Sequence, residues 1–570
     1  MKWTSDRATY LWLAIIVVIA LGLRVWGIWF GLPFSYRADE YHEVFRALEL
    51  GSGSFNFDRT GKGGYFYVLF IEYGLLFIVL KIAGVVSSVQ DFAKHFVQDP
   101  SSFYLIGRTT TAVIGTVNVV LAYRLGARAY STGAGMLAAA FLAVDFLSAE
   151  HSHFITVDIP MTCLATASLL FAVRLADGGT STDYKWAAFF AALATTTKVP
   201  AIMLVVPLLI AHYFCTVSRG SRPTTLFLSR DLWLAVAIFG AVWVVTNPGL
   251  IVHPPVPALF GTETVDGTGL EAAMEEPSTA SPPNLFIYYA EALRDSLGWP
   301  LFTVALAGTA CAVWRRRRAD IILLSFGAIF YVVFAASQDP YLYFPRYLLP
   351  VNVILVVLAG RFLNAIWPRG RPARQVAGVI AVAALGALPA YRTVANNQLL
   401  IQEDTRTVAK NWIENNVPQG SRIFIEGLKI EPTRLTVPLD DTADNIRRYI
   451  EFYQDREPGK AKYLRYKLQA RSANSYDLEL GTPSEIREND LMHYKRMGIQ
   501  YLVIRPEAFS DSRKLAEGGV SFLNQLTNDP DVSLMRSFSP GSRERSGPLI
   551  HVYRVDPNVR KRPTREGAQP

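Results

Sequence analysis

The sequence predicts a polytopic α-helical membrane protein with a soluble α/β domain at its C-terminal end. Its mean hydropathy of +0.21 is too low for a chain that is all membrane and too high for one that is all soluble. Apolar runs long enough to cross a hydrocarbon core of about 30 Å recur from about residue 9 to residue 391, and none follows. We therefore predict a membrane domain over 1–391, an external α/β domain over 392–555 and a disordered basic tail over 556–570.

Eleven apolar segments are predicted to be transmembrane helices. They are residues 10–30, 103–123, 133–149, 158–175, 185–198, 200–217, 231–249, 298–314, 320–337, 343–366 and 375–391. The first follows Lys2 and Arg7, but it is too long for a cleaved signal sequence and no small-residue cleavage site follows it. We therefore interpret it as an uncleaved helix with a cytoplasmic N-terminus.

A further apolar run, residues 64–86, decides on which side of the membrane every later loop lies. If it does not cross, the arginine clusters at 124–128, 219–230, 315–318 and 369–374 are all cytoplasmic, as the positive-inside rule requires. We therefore predict that 64–86 forms interfacial or re-entrant helices in the first external loop. The protein is then expected in the cytoplasmic (inner) membrane, with the C-terminal domain on the external, periplasmic face.

Charge and cysteine content exclude two other classes of protein. The net charge of +8 comes mostly from short loops between apolar runs and from the last fifteen residues, so it fits membrane topology and predicts no nucleic-acid partner. All three cysteines lie inside apolar runs, so no disulfide framework or thiolate metal site is predicted.

A dense polar stretch, Tyr-Arg-Ala-Asp-Glu-Tyr-His-Glu at residues 36–43, follows the first apolar segment. Held at a bilayer surface, its carboxylates are suited to act as a general base and its Arg37 to contact an anion. The alternative is a charged collar at a helix end. Read alone, the stretch fits both interpretations.

Three more external turns carry ionisable residues. Asp158 suits a helix N-cap, a structural role that competes with any functional one. Lys198 lies in an apolar hairpin, where it either snorkels or binds a phosphate as a point charge. Arg346 lies between Tyr343 and Tyr347, a composition that suits binding of both a phosphate and a sugar.

The turn before Asp158 contains Glu150, His151 and His153. These residues are a possible divalent metal site, since carboxylate and imidazole groups are metal ligands. Solvated loop histidines are the alternative interpretation.

In order and spacing, these motifs resemble a known family. The motifs are Asp39-Glu40 after the first span, Asp158 at the head of the fourth, Lys198 at the next turn and Arg346-Tyr-Leu-Leu-Pro. Together they resemble the C-class integral membrane glycosyltransferases of the protein O-mannosyltransferase and lipid A aminoarabinose transferase type (glycosyltransferase family 39-like). The resemblance covers about residues 8–391. It implies a polyprenyl-phosphate-sugar donor, a single inverting displacement, and a hydroxyl of a lipid, glycan or protein as acceptor.

The resemblance also implies roles for individual residues. Asp39 would be the catalytic base with Glu40 as its support, and Asp158 would orient the acceptor or a cation. The remaining candidates are the donor-phosphate ligands Lys198, Arg346 and Arg37 and the substrate ligands His42, Tyr343 and Tyr347. A transporter or flippase of lipid-linked sugars is the alternative function, and a catalytically inactive scaffold is a third.

The C-terminal region alternates helix and strand patterns. Helices are predicted at 404–416 and 484–497, and strands at 422–425, 500–504, 532–537 and 549–554. The basic residues at 447–448 and 460–467 predict a solvated face or, alternatively, an acceptor-docking surface.

Overall fold

The computed structural model describes residues 6–51, 63–220, 223–247, 284–337, 343–368, 372–428, 431–456, 458–470, 474–481, 490–506, 522–541 and 544–556. Residues 557–570 of the predicted basic tail and residues 250–283 of the predicted loop lie outside these residues.

The first part of the chain is helical. Its helices are α1 (Asp6–Val25), α2 (Ala38–Leu50), α3 (Gly63–Ile82), α4 (Val89–Gln98), α5 (Ser101–Ala129), α6 (Thr132–Val144), α7 (Phe146–His151), α8 (Asp158–Ala176), α9 (Ser181–Thr197), α10 (Val205–Ser218), α11 (Arg230–Thr246), α12 (Leu285–Leu297), α13 (Trp299–Arg315), α14 (Arg318–Ala335), α15 (Leu349–Ile366) and α16 (Pro372–Leu400). Short 3₁₀ turns at Val199–Leu204, Pro223–Leu228 and Pro345–Leu348 precede α10, α11 and α15.

Each of the eleven predicted spans contains a helix, but the count of eleven membrane crossings stays a prediction. Within the described residues, eight helices are long and apolar enough to cross a membrane, and the pair α12–α13, bent by 115°, makes a ninth if it is one span. The bend falls at Gly298, whose φ of 73° is readily adopted only by glycine. Helix α6 is shorter because Asp145 ends it and caps α7 instead.

Helix α8 shows that the helical part has two chemically different ends. Asp158 lies at its start. At the other end Arg318 donates to the Ala176 carbonyl at 2.8 Å, and Arg128 pairs with Asp177 at 2.7 Å. With a rise of about 1.5 Å per residue, the helix separates these groups by roughly 28 Å. The arginine-rich loops therefore gather at the end opposite Asp158.

Helix α3 runs along the first third of α5 and away from its basic end. The Tyr65 hydroxyl lies 2.8 Å from the Thr111 hydroxyl, and the Tyr73 ring centroid lies 5.4 Å from that of Phe103. The two helices are therefore antiparallel over this region. The outer face of α3 is apolar and exposed, which suits a helix in contact with lipid. Because α3 is also long and apolar enough to cross, its interfacial position stays a prediction.

Cysteine accessibility in intact cells tests this topology. In a Cys311→Ser background, we expect a membrane-impermeant maleimide to label Asp455→Cys but not Arg315→Cys, because the predicted topology puts these exposed positions on opposite sides. The other two cysteines, Cys163 and Cys215, are buried. Labelling of Arg315→Cys from outside would contradict the predicted orientation.

The described residues of the second part of the chain form a six-stranded sheet. Its strands are β1 (Arg422–Leu428), β2 (Glu431–Leu435), β3 (Asp477–Gly481), β4 (Tyr501–Ile504), β5 (Val532–Phe538) and β6 (Ile550–Val555), and its helices are α17 (Thr405–Asn416), α18 (Ala443–Tyr453), α19 (Pro458–Ala470), α20 (Leu491–Arg496) and α21 (Phe522–Asn528). Strand β1 pairs in parallel with β3 and β4, followed by antiparallel β6 and β5, while β2 folds back antiparallel on the end of β1.

The four predicted strands are confirmed to within a few residues, and β2 and β3 were missed. The predicted helix at 484–497 is described only as Leu491–Arg496, since 482–489 lie outside the described residues. The solubility of the C-terminal α/β domain and its boundaries at residues 392 and 555 stay predictions.

The α/β part contacts the helical part on the Asp39 side. The Tyr36 hydroxyl lies 2.7 Å from that of Thr407 on α17, and the Arg406 guanidinium lies 3.8 Å from the centre of the Tyr36 ring. Tyr463 of α19 packs edge-on against Phe45 of α2 at 5.6 Å. The stretch predicted as a solvated basic face is therefore a helix of which one side packs on the helical part.

Candidate active site

Four of the predicted residues meet at one site: Asp39, Asp158, Lys198 and Arg346. Arg346 Nη1 donates to Asp39 Oδ2, and its Nε lies 3.8 Å from Asp158 Oδ2. Lys198 Nζ donates to Asp158 Oδ1 at 2.5 Å. Residues from four separate segments of the chain thus form one network of alternating charges.

Each of the four lies at the end of a helix or in the turn next to one. Asp39 is in the first turn of α2, and Lys198 connects α9 to a 3₁₀ turn with an extended backbone (φ −153°, ψ 119°). Arg346 lies in the 3₁₀ turn before α15. Asp158 is the first residue of α8 and Val157 is the N-cap, so the predicted N-cap role is wrong by one position. Its charge still lies at the favourable end of the helix dipole.

The two carboxylates differ sharply in exposure. The side chain of Asp39 is 46% exposed, whereas that of Asp158 is 4% exposed. Asp39 is therefore the carboxylate that a substrate can reach. Asp158 lies on the buried side of the site, where it contacts both cations. The Nε of Arg346 is buried and has no hydrogen-bond partner among the described residues.

Aromatic rings surround the cations. Lys198 Nζ lies 4.0 Å from the centre of the Tyr347 ring, and Arg346 lies 4.4 Å from that of Phe344. Tyr347 stacks on Phe334 at 5.1 Å, which fixes its ring. The other predicted tyrosine, Tyr343, accepts a hydrogen bond from Tyr288 on its carbonyl at 2.8 Å. The Tyr347 ring thus lies at the site. The backbone of Tyr343 binds the chain just before the Arg346 turn to α12.

Arg37 and His42 flank Asp39 in sequence. The guanidinium of Arg37 lies over the Phe154 ring at 4.2 Å, on the side where Glu150 and His151 also lie. His42 is on α2, and its ring centroid is 5.9 Å from that of Tyr41. Their predicted roles as phosphate and substrate ligands stay predictions.

Although Glu40 follows Asp39 in sequence, its side chain points away from the site. Glu40 was predicted to support catalysis, whereas the structure gives it a structural role. Glu40 accepts a bidentate pair of hydrogen bonds from Arg108 at 2.8 and 2.7 Å, and both side chains are fully buried. Arg108 also donates to the carbonyls of Ile28 and Phe30. This pair fastens α2 to α5 and to the end of the first membrane segment, and so sets the position of Asp39.

Thermal unfolding of Glu40→Gln tests this structural role. Removing one partner of a buried pair leaves the other charge uncompensated, at a cost of about 3–5 kcal/mol. We expect a clearly lower unfolding midpoint than that of Glu49→Gln, which changes an exposed carboxylate on the same helix. Equal midpoints for the two variants would contradict the role assigned to Glu40.

The predicted metal ligands do not fit a metal ion. His153 Nδ1 lies 2.9 Å from the Ala149 carbonyl oxygen and its Nε2 lies 3.1 Å from that of Trp26, so both ring nitrogens are engaged. Among the described residues, no group of three or more His, Cys, Asp or Glu side chains could hold a metal. Burial raises the pKa of the Glu150 carboxyl, and burial together with Arg346 lowers that of His151, which favours neutral forms.

Arg108 is the residue that the sequence pattern should have singled out. It lies inside the predicted span 103–123, and an ionisable residue within an apolar run is expected to have a buried partner. Its partner, Glu40, is 68 residues away in sequence, so spacing gave no means of pairing them.

Comparisons with known proteins agree with this architecture. Residues 105–247, which contain Asp158 and Lys198, match the family model described as dolichyl-phosphate-mannose-protein mannosyltransferase. No curated protein sequence matches the chain.

Three solved structures illustrate the fold similarity. ArnT from Cupriavidus metallidurans in the apo state gives a TM-score of 0.50 at 14% identity, over 96% of this chain and 98% of that one. The same protein bound to undecaprenyl phosphate gives 0.49 at 14% identity, over 97% and 99%. The Archaeoglobus fulgidus oligosaccharyltransferase in the apo form gives 0.48 at 10% identity, over 89% and 70%.

The family match and the fold of apo ArnT define the class. The chain has the fold of apo ArnT, which is the GT-C fold, residues 105–247 match a mannosyltransferase family model, and eight of the described helices are long and apolar enough to cross a membrane. The resemblance inferred from the sequence motifs is confirmed at this level.

Proposed function

We propose that the protein transfers a sugar from a polyprenyl-phosphate-sugar donor to a hydroxyl of a lipid, glycan or protein acceptor, at the external face of the cytoplasmic membrane. One observation carries the proposal: Arg346 bridges the accessible Asp39 and the buried Asp158, with Lys198 on the same Asp158. An accessible carboxylate thus lies beside two fixed cations, which is the combination that transfer from a phosphate leaving group requires.

The donor phosphate is proposed to bind at Arg346 and Lys198. The Arg346 side chain is 18% exposed, and a phosphate oxygen is a suitable acceptor for the guanidinium group that pairs with Asp39. A phosphate at this position competes with Asp39 for the guanidinium. Donor binding therefore frees the Asp39 carboxylate for the acceptor.

The chemical step is a single displacement at the anomeric carbon. The acceptor oxygen forms the new bond to this carbon while the bond to the phosphate oxygen breaks, and the electron pair leaves with the polyprenyl phosphate. Asp39 takes the hydroxyl proton as the nucleophile attacks, and Lys198 with Arg346 stabilises the charge gained by the departing phosphate. The product has the inverted anomeric configuration.

Asp158 is proposed to act through the cations rather than on the acceptor. Its side chain is 4% exposed and lies against Lys198 and Arg346. Two cations held by one buried carboxylate are pre-oriented, so little reorganisation is needed as the phosphate charge develops.

A transporter of lipid-linked sugars is not favoured by the placement of charge. Transporters place binding groups near the bilayer midplane, at broken helices. Two ionisable residues inside the predicted spans, Arg24 and Asp145, are fully buried. Arg24 donates to the Ala143 carbonyl at 3.0 Å, and Asp145 accepts from Ser296 at 2.6 Å, so their network serves helix packing.

Transfer in proteoliposomes tests the proposed function. The purified protein is given radiolabelled polyprenyl-phosphate sugars and a lipid and glycan extract as acceptors. We expect label to move to the acceptor with equimolar release of polyprenyl phosphate. Label that stays on polyprenyl phosphate but changes leaflet would instead establish a flippase and contradict the proposal.

A further inference from the structure

A groove of about 830 Å³ lies at the basic-loop end of the helical part and has no role in the site described above. Helix α8 forms its floor, and α5 and α9 form its walls. It is lined among others by Arg124, Arg128, Arg174, Phe171, Trp186 and Phe190. Because Asp158 lies at the other end of α8, roughly 28 Å separates the groove from the candidate active site.

The charged end of the groove has an excess of positive charge. Arg128 pairs with Asp177 at 2.7 Å, and Arg174 pairs with Asp183 at 2.8 Å. Arg124, exposed on α5, has no carboxylate partner in the part of the chain that the structure describes. Three guanidinium groups with two carboxylates leave one positive charge and several free N–H donors, which suits a phosphate.

The rest of the groove is apolar and aromatic. The ring of Trp186 stacks with Phe171 at 6.3 Å and with Phe190 at 5.6 Å, at interplanar angles of 25° and 24°. Trp186 is still 44% exposed, so this stacked wall faces outward. Tryptophan beside arginine is the pattern of a helix end at a membrane interface. A ligand that fills the groove must therefore carry both an anionic group and an apolar chain.

We propose that this groove binds one anionic phospholipid of the leaflet at the basic-loop end. Its phosphate contacts Arg124, Arg128 and Arg174, and one acyl chain lies along the wall of Phe171, Trp186 and Phe190. Basic pockets between transmembrane helices bind anionic headgroups in this way, and the volume is within the range of ligand sites. A free phosphate would use only the arginines and leave the aromatic wall without a partner.

Lipid binding to the delipidated full-length protein tests this inference. Native mass spectrometry measures the affinity for phosphatidylglycerol and for phosphatidylcholine with the same acyl chains. We expect a preference for phosphatidylglycerol that Arg124→Gln lowers by about tenfold, as loss of a charge-assisted contact predicts. Arg315→Gln, an exposed arginine at the same end of the protein but outside the groove, is the matched control and should leave the affinity unchanged.

A second variant tests the apolar part without changing charge. Trp186→Ala is expected to weaken the binding of phosphatidylglycerol. Because the substitution also removes contacts with Phe171 and Phe190, the affinities are compared well below the unfolding midpoint of the lipid-free variant. The proposal would be overturned by equal affinity for the two lipids or by equal effects of Arg124→Gln and Arg315→Gln. It would also be overturned if inorganic phosphate competed as effectively as phosphatidylglycerol. Displacement by equimolar undecaprenyl phosphate would overturn the choice of a phospholipid.

Discussion

Replacing Asp39 with Asn is expected to lower the rate of sugar transfer by about 10²–10⁴-fold, the usual contribution of a general base. The amide has nearly the same shape as the carboxylate but cannot take the acceptor proton. Because Asp39 is 46% exposed and makes its ion pair only with Arg346 among the described residues, the substitution should not unfold the protein. The measurement is the initial rate of label transfer in proteoliposomes.

Asp99→Asn is the control for Asp39→Asn. Asp99 is an exposed carboxylate between α4 and α5 that accepts a hydrogen bond from the Ser101 amide. Its variant should transfer sugar at close to the rate of the unchanged protein. Unchanged transfer by Asp39→Asn, with donor binding intact, would end the assignment of Asp39 as the base.

Replacing Arg346 with Gln is expected to lower transfer by about 10²–10³-fold, the effect of removing one group that stabilises a developing charge. It should also weaken donor binding, because the same guanidinium is proposed to contact the phosphate before and during the reaction. Measuring donor affinity and the single-turnover rate separates the two effects. Asp39→Asn should lower the rate without weakening donor binding, and donor affinity should rise because the carboxylate no longer competes with the phosphate for the guanidinium.

Arg346→Lys sharpens this prediction. Lysine keeps the charge but loses the planar fork with which Arg346 contacts Asp39 and Asp158 at once. We expect a rate between those of the unchanged protein and Arg346→Gln. Full activity in Arg346→Lys would mean that only net charge matters at this position, which contradicts the bridging geometry.

The meeting of Asp39, Asp158, Lys198 and Arg346 was predictable because a membrane reduces the problem to two faces. Once the arginine-rich loops are assigned to one side, polar residues at the opposite helix ends must share a surface. In the predicted topology each span crosses once, which returns these turns to the same plane. The prediction thus required only the order of the spans and the side of the membrane on which each loop lies. It did not require knowledge of how the helices pack.

The packing itself was not predictable from the same pattern. Glu40 and Asp39 are adjacent in sequence, yet successive positions on a helix diverge by about 100°, so one faces the site and the other the buried Arg108. His153 and His151 separate in the same way, since a two-residue spacing places side chains on different faces of a turn. Which face meets which neighbour depends on tertiary contacts that an apolar composition leaves unspecified.

A structure of the Asp39→Asn variant with a polyprenyl-phosphate sugar bound tests the central claim most directly. With the proton acceptor removed, the donor should remain intact at the site. We predict phosphate oxygens within about 3 Å of Lys198 Nζ and the Arg346 guanidinium, with the anomeric carbon facing residue 39. A donor phosphate bound away from Lys198 and Arg346 would contradict the account.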